Sequence, residues 1–280
     1  MQLGTGDEFV NGLWYGDGGT GKTTSLARMA NLGPIIYVNA ESGLKARPLK
    51  ALGVKIENIT VWPKQGEKVS FEGLEQLHIQ MLQKLGAEKK DAKTPIGVVL
   101  DSITEVYKAL LDDVVANSVV RSRNAGKDRD AFTVELRDYG HMTEQVRMLV
   151  RRFRDLPCHF AMAALMRREQ DDDGAVTYQP AITPALQNDL IGWVDVVCQT
   201  SVQILGKDEE QYMGLFRPHG KFRGKDRLGA LPKWLVDPGF DRVVAYAQDQ
   251  MTRETDPVMK AAKAKADAAA EGGEETEDVA

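Results

Sequence analysis

The chain has 280 residues, 42% of them hydrophobic and 28% charged, enough for one sizeable α/β core. No apolar run approaches the roughly 18 residues of a membrane span, no charged-then-apolar leader opens the sequence, and Cys158 and Cys198 each sit in an apolar run, as reduced core residues would. These features exclude a disulfide scaffold and lead us to expect a cytoplasmic protein with no membrane partner. The net charge of −5 is concentrated in residues 271–280, which hold five carboxylates and no Lys or Arg, so the rest of the chain is neutral and an acidic total does not exclude a nucleic-acid partner.

In chain order, residues 12–15 suit a short buried strand, and residues 24–30 suit a helix. Between them, residues 16–23 read Gly-Asp-Gly-Gly-Thr-Gly-Lys-Thr, a complete G-x-x-x-x-G-K-[ST] phosphate loop. Its glycines let backbone N–H groups turn inward around a polyphosphate. Lys22 can reach the β- and γ-phosphates, and Thr23 can hold Mg²⁺ through its hydroxyl. The helix N-terminus adds positive potential at the same place. The expected nucleotide contacts are therefore Gly16, Asp17, Gly18, Gly19, Thr20, Gly21, Lys22, Thr23 and Thr24.

Residues 34–40 read as a buried strand, 44–52 as a short helix and 59–62 as a strand. Leu74, Leu77, Met81 and Leu85 give residues 71–85 a helical period. Residues 96–100 are too uniformly apolar to face water on either side, as in a parallel sheet. Helices are expected over about 105–120 and over 139–155, the second with Val146, Leu149, Val150 and Phe153 on one face. Residues 160–165 form the next buried strand, Asp172-Asp173-Gly174 a hairpin turn, and 194–204 and 211–217 further strands. The domain is expected over residues 1–255, followed at 256–280 by a polar, acidic-ended disordered tail, partly helical at most. Strands alternating with helices predict an α/β fold: a doubly wound, mostly parallel sheet with a C-terminal β-hairpin region and the ligand at the carboxyl ends of the strands.

Two further motifs narrow the chemistry. Val98-Val99-Leu100-Asp101-Ser102 places an acid at the end of a buried strand, where a residue that helps hold Mg²⁺ belongs. Serine follows it, so a water-activating carboxylate must come from elsewhere. Val38-Asn39-Ala40-Glu41 supplies one at the end of the strand after the first helix, placed to orient water for in-line attack on a γ-phosphate. Tyr37-Val38-Asn39-Ala40-Glu41 and Val99-Leu100-Asp101-Ser102-Ile103 resemble the hydrophobic-x-Asp-Ala-Glu and hydrophobic-Asp-Ser-hydrophobic sequences of RecA-like P-loop ATPases, with Asn39 where that family has Asp. Asp138-Tyr139-Gly140 and the segment Lys225-Asp226-Arg227-Leu228-Gly229-Ala230-Leu231-Pro232 are similar to phage RecA-like AAA ATPases of the Sak type, used in recombination and strand annealing.

That resemblance spans about residues 8–250 and implies a RecA-like core that binds ATP with Mg²⁺ and hydrolyses it, with Glu41 as base. It also implies single-stranded DNA, a ring or filament of identical chains, and a single-strand-binding or annealing protein as partners, in the host cytoplasm if the chain is phage-encoded. Lys225 or Arg227 would reach a neighbouring nucleotide site, from an extended segment on which Lys221, Arg223, Lys225 and Arg227 share a face. The family's polar sensor near position 165 is missing from Ala163-Ala164-Leu165-Met166, leaving Arg167 or Arg168 to substitute. DNA contacts are expected from Arg121, Arg123, Lys127 and Arg129 in a polar loop, from Arg147, Arg151 and Arg154 on a helix, and from Arg167, Arg168 or Tyr178 near the hairpin. His78, His141, His159 and His219 have no metal-like spacing. Two alternatives stand beside this reading: a P-loop kinase of small molecules, and a non-catalytic, nucleotide-switched loader or scaffold.

Overall fold

A computed structural model describes residues 9–87, 91–127, 129–130, 132–170, 173–205 and 209–271. Its strands are β1 Asn11–Gly16, β2 Ile35–Asn39, β3 Ile59–Trp62, β4 Gly97–Asp101, β5 His159–Gln170, β6 Val176–Pro180, β7 Val196–Ile204, β8 Glu210–Leu215, β9 Lys225–Asp226 and β10 Trp234–Val236. The helices are α1 Lys22–Ala27, α2 Ala46–Ala51, α3 Phe71–Leu85, α4 Ile103–Asn124, α5 Leu136–Arg154, α6 Pro184–Trp193, α7 Phe240–Ala247 and α8 Pro257–Glu271. One sheet runs β10-β8-β7-β1-β5-β4-β2-β3, with β6 on β5 and β9 on β7. Its six strands from β7 to β3 are parallel, while β8 and β10 add an antiparallel edge.

The apolar strand runs follow from burial on both faces. Side chains alternate across a strand, so Leu13, Tyr15, Ile36, Val38, Val98, Leu100, Phe160 and Met162 pack under α3, α4, α5 and α6. Trp14, Ile35, Tyr37, Val99, Ala161 and Ala163 pack with α1, α2, α7 and the β8–β10 edge. Trp14 has its ring against Phe216 and Phe240 and donates its indole N–H to the Pro238 carbonyl at 3.1 Å, which ties the central strand to the C-terminal elements.

The doubly wound sheet is as expected, and several element boundaries move. The first helix is shorter, giving way to a 3₁₀ turn at Arg28–Asn31. Helix α4 is longer, because Ser102 caps it by accepting from the Glu105 N–H. Helix α5 starts earlier, at Leu136, through a reciprocal capping box between Glu135 and Asp138. Strand β5 runs on to Gln170 by pairing with β6. Asp171 and Asp172 lie outside the described residues, and Gly174 (φ 81°) sits within the hairpin connection. Helices α6 and α7 occupy segments for which no helix was expected.

The expected disordered tail from residue 256 is a helix over Pro257–Glu271. Asp256 is wholly buried, paired with Arg242 and accepting from the Tyr246 hydroxyl at 2.8 Å, and it caps α8 by accepting from the Val258 N–H at 3.0 Å. That buried anchor is what holds the helix to the core. Residues 272–280 lie outside the described residues.

Candidate functional site

The phosphate loop lies between the carboxyl end of β1 and α1. A side chain at Gly16 would meet Thr200 Oγ1 at 2.3 Å, and Gly21 has φ 81° with Tyr212 packed 2.9 Å from where a Cβ would stand, so neither position admits another residue without strain. Lys22 is buried and donates to the carbonyls of Gly16 at 3.0 Å and Asp17 at 2.7 Å. Burial lowers its pKa from the ordinary lysine value, with the charges of Glu41, Asp101 and Asp17 opposing. The loop borders a cavity of about 440 Å³, which Glu41, Pro48, Leu52, Leu165, Tyr212 and Asp237 also line.

Asp101 ends β4 beside the loop. Its Oδ2 accepts from the Thr23 hydroxyl at 2.7 Å and from the Tyr37 hydroxyl at 2.6 Å. Tyr37 is fully buried on β2, and burial together with the Asp101 charge raises its pKa well above the usual phenol value, so it stays a donor. Sequence reading treats Tyr37 only as an apolar strand residue, because one aromatic in such a run looks like core. The Asp101 carbonyl accepts from the backbone N–H of Ala40 at 2.8 Å and Glu41 at 3.2 Å, fixing the turn after β2 against the end of β4. The Glu41 carboxylate accepts from the hydroxyl of Ser102, and the Asp101–Ser102 peptide is cis. Lys22, Thr23, Asp101 and Glu41 are thus brought into one cluster around the loop. A hydroxyl and a carboxylate that share a hydrogen bond beside an open phosphate loop are a donor set suited to a hard divalent cation such as Mg²⁺.

The sensor position on β5 carries no polar side chain. Leu165 lines the cavity, its N–H bonded to Thr104 Oγ1 at 3.1 Å, while Arg167 pairs with Glu169 and Arg168 reaches Gln170. Polar groups stand instead on β7. Thr200 bonds Thr20 at 2.7 Å and the Tyr15 carbonyl at 3.2 Å, and buried Gln199 helps line a cavity of about 460 Å³ beside Asp17, Gly18, Gly19 and Thr20. The apolar-to-polar switch in Val197-Cys198-Gln199-Thr200 is the signal that points to them.

The expected trans-acting cations are engaged within their own chain. Lys225 donates to the carbonyls of Ile191, Gly192 and Val194 at 2.6–3.0 Å, and Arg227 to Gly192 O and Asp195. The carbonyls left over at the C-terminus of α6 draw both side chains in. Lys221 and Arg223, from the same segment, remain exposed. The helical arginine stripe is likewise occupied: Arg147 bonds Glu144 and Asp189, Arg151 stacks over Trp193 at 4.5 Å, and Arg154 pairs with Asp155. Arg129 is buried against Asp138 and Glu135. Arg121 and Lys127, by contrast, open onto a groove of about 650 Å³ between α4 and α5, with Arg123 exposed nearby. The adjoining loop exposes Phe132 at 94%, and Leu136, the first residue of α5, is 88% exposed.

A doubly wound parallel sheet, a phosphate loop between β1 and α1, and a β4 acid bonded to the loop threonine together define a P-loop nucleotide-binding protein. A family model described as an AAA domain matches residues 8–228, and the chain belongs to that family. No curated protein matches the chain. Among solved structures, the flagellar accessory protein FlaH from Methanocaldococcus jannaschii is similar over 81% of this chain and 84% of its own, at 12% identity and a TM-score of 0.42. No helix among the described residues is long and apolar enough to cross a membrane.

Proposed function

We propose that this protein is a Mg²⁺-dependent ATPase that acts on single-stranded DNA in recombination or annealing, as phage RecA-like ATPases of the Sak type do, and that it works as a cytoplasmic homo-oligomer. The observation that carries the ATPase reading is the bonded trio of Thr23, Asp101 and Tyr37 with Glu41 held beside it. Lys22 exchanges the Gly16 and Asp17 carbonyls for the β- and γ-phosphates of ATP. Thr23 and Asp101 would hold Mg²⁺, which neutralises charge on the phosphates when bound. Glu41, released from Ser102, accepts a hydrogen bond from the attacking water and aligns it with the γ-phosphorus.

The DNA reading is supported by the α4–α5 groove, where Arg121 and Lys127 can meet phosphates while Phe132 offers a face for a base. A protein partner that handles single strands belongs to the same reading. Exposed Lys221 and Arg223 are better placed than Lys225 and Arg227 to reach a neighbouring subunit. The absence of a polar sensor side chain at Leu165 and Met166 favours one second reading, a non-catalytic, nucleotide-switched loader or scaffold.

ATP turnover with and without single-stranded DNA, at several protein concentrations, separates these readings. Lys22→Ala should abolish turnover. Glu41→Gln should keep ATP bound and slow hydrolysis by about a hundredfold or more. Normal hydrolysis by Glu41→Gln would overturn the assignment of the base, and turnover indifferent to DNA and to concentration would overturn the DNA and assembly parts.

A further inference from the structure

The first turn of α4 touches two parts of the site that the ATPase reading leaves unconnected. Ser102 is wholly buried, and its hydroxyl makes two hydrogen bonds at once. It accepts from the Glu105 N–H at 3.3 Å, which caps α4, and it donates to the Glu41 carboxylate. A hydroxyl has a single proton, so while the cap fixes Oγ that proton stays committed to Glu41. The carboxylate is also held at the N-terminus of a 22-residue helix, whose positive end favours an anion. Both effects stabilise the Glu41 anion where it stands and make it a poorer acceptor for a water proton. The Glu41 backbone is held separately, its N–H donating to the Asp101 carbonyl at 3.2 Å, so leaving Ser102 needs a movement of the side chain alone. Two residues further on, Thr104 Oγ1 accepts from the Leu165 N–H at 3.1 Å, at the β5 position that carries no polar sensor. The other end of the same helix brings Arg121 to the open groove against α5.

We infer that Ser102 is a positioning residue that parks the base Glu41, and that α4 releases it when single-stranded DNA occupies the groove. This rests on the ATPase and DNA readings above and adds the regulation of the site. A helix of 22 residues is about 33 Å long, and as a rigid element it carries a displacement from one end to the other. Phosphates on Arg121 and Lys127 draw α4 toward the groove. Ser102 moves with its own helix, while Glu41 stays on the turn after β2. The hydroxyl–carboxylate bond is the contact that this shift breaks, and Glu41 then turns to the water beside the γ-phosphate. Without DNA the base stays on Ser102 and bound ATP persists. Helix α4 thereby supplies the link between nucleotide and DNA that the apolar end of β5 lacks. A charge-assisted hydrogen bond of this kind biases the carboxylate roughly tenfold toward the parked position.

Steady-state ATP turnover by the full-length protein, with and without saturating oligothymidylate, tests this. Ser102→Ala removes the hydroxyl and should raise DNA-free turnover roughly tenfold. Affinity for a non-hydrolysable ATP analogue should stay unchanged, so that the effect is on kcat and not on KM. Stimulation by DNA should fall to within about twofold, because the base is already free. A residue that only stabilised the fold would lower turnover or leave it unaltered. Ser102→Gly removes the same hydroxyl at little cost to the cap, and it carries the test should Ser102→Ala not fold, as thermal melting shows. Unchanged or reduced DNA-free turnover in a folded variant that binds the analogue like wild type would overturn the parking of Glu41 alone. Raised turnover in the variant of a protein that DNA does not stimulate would overturn the control through α4. No turnover by wild type or variant in either condition would overturn the ATPase reading and the inference with it.

Discussion

At the scale of single residues, Tyr37 is the group in the site whose role was least visible. Lys22, Thr23, Asp101 and Glu41 could be read from the sequence, because a phosphate loop and strand-terminal acids have fixed spacings that survive any change in packing. The Tyr37 hydroxyl could not, because whether a buried phenol finds an acceptor depends on the neighbouring strand. Here β2 pairs with β4 in a register that sets Asn39 beside Asp101, and the Tyr37 hydroxyl lies 2.6 Å from the Asp101 carboxylate. That bond, shared with Thr23, fixes the carboxylate that would face Mg²⁺. Outer partners of this kind typically cost ten- to a hundredfold in metal affinity when removed. Tyr37→Phe keeps the ring and should raise the Mg²⁺ concentration for half-maximal turnover roughly tenfold, with nucleotide affinity in EDTA unchanged. Mn²⁺ binding followed by electron paramagnetic resonance in the presence of a non-hydrolysable ATP analogue gives an independent readout. Identical metal titrations for wild type and variant would assign Tyr37 to packing alone.

At the scale of elements, strands β1, β2, β4 and the first half of β5 were legible because a parallel strand buried on both faces is an uninterrupted apolar run. Helices α6 and α7 were missed although each carries a signal: Thr183-Pro184 opens α6, and Phe240, Val243, Val244 and Ala247 repeat at helical spacing along α7. Both follow short strands and turns, and each is short enough for its signal to stand out little from the surrounding loops. The start of α5 depends on charge. Burial alone would raise the Asp138 carboxyl, but the hydrogen bonds from Arg129 and from the Glu135 N–H outweigh it and leave its pKa below the usual value. A depressed carboxyl stabilises the fold above its unfolded pKa, near 3.9, and loses that contribution as pH falls through the folded value. Arg129→Met should therefore lower the thermal midpoint at pH 7, and the gap from wild type should close below about pH 4. A gap that persists unchanged to pH 2 would show that Arg129 acts through packing.

The anchor of α8 is a separate case at the same scale. Asp256 is fully buried against Arg242 and Tyr246. Losing one partner of such a pair leaves an uncompensated charge, at a cost of about 3–5 kcal/mol. Asp256→Ala should destabilise the protein by about that amount and raise amide exchange first in α8. Equal exchange in α8 for both proteins would mean that Met259 and its neighbours hold the helix without the ion pair. The tail was expected to be partly helical at most; the helix's extent and docking were not legible because its Ala/Lys-rich composition carries no strong apolar stripe and the docking depends on Asp256, Arg242 and Tyr246 meeting.

At the scale of the whole molecule, charge is unevenly distributed along the chain. The five carboxylates in residues 271–280 account for the entire net charge of −5. Arg121 and Lys127 meanwhile line the open groove between α4 and α5, and Lys221 and Arg223 are exposed near β6. If the protein binds single-stranded DNA as proposed above, an acidic segment tethered to a neutral body would compete with nucleic-acid phosphate for such cations at high effective concentration. Salt screens this competition over a Debye length of about 10 Å at 0.1 M. Deleting residues 271–280 should leave folding and DNA-free ATP turnover unchanged and tighten single-stranded DNA binding at low salt. The gain should shrink as ionic strength rises, because the competition it removes is already screened. Replacing the five carboxylates with amides at full length should reproduce the effect, which separates charge from length. Equal DNA affinity of the truncated and full-length proteins at low salt would leave the segment as a solubilising extension and remove the competition from the account of DNA binding.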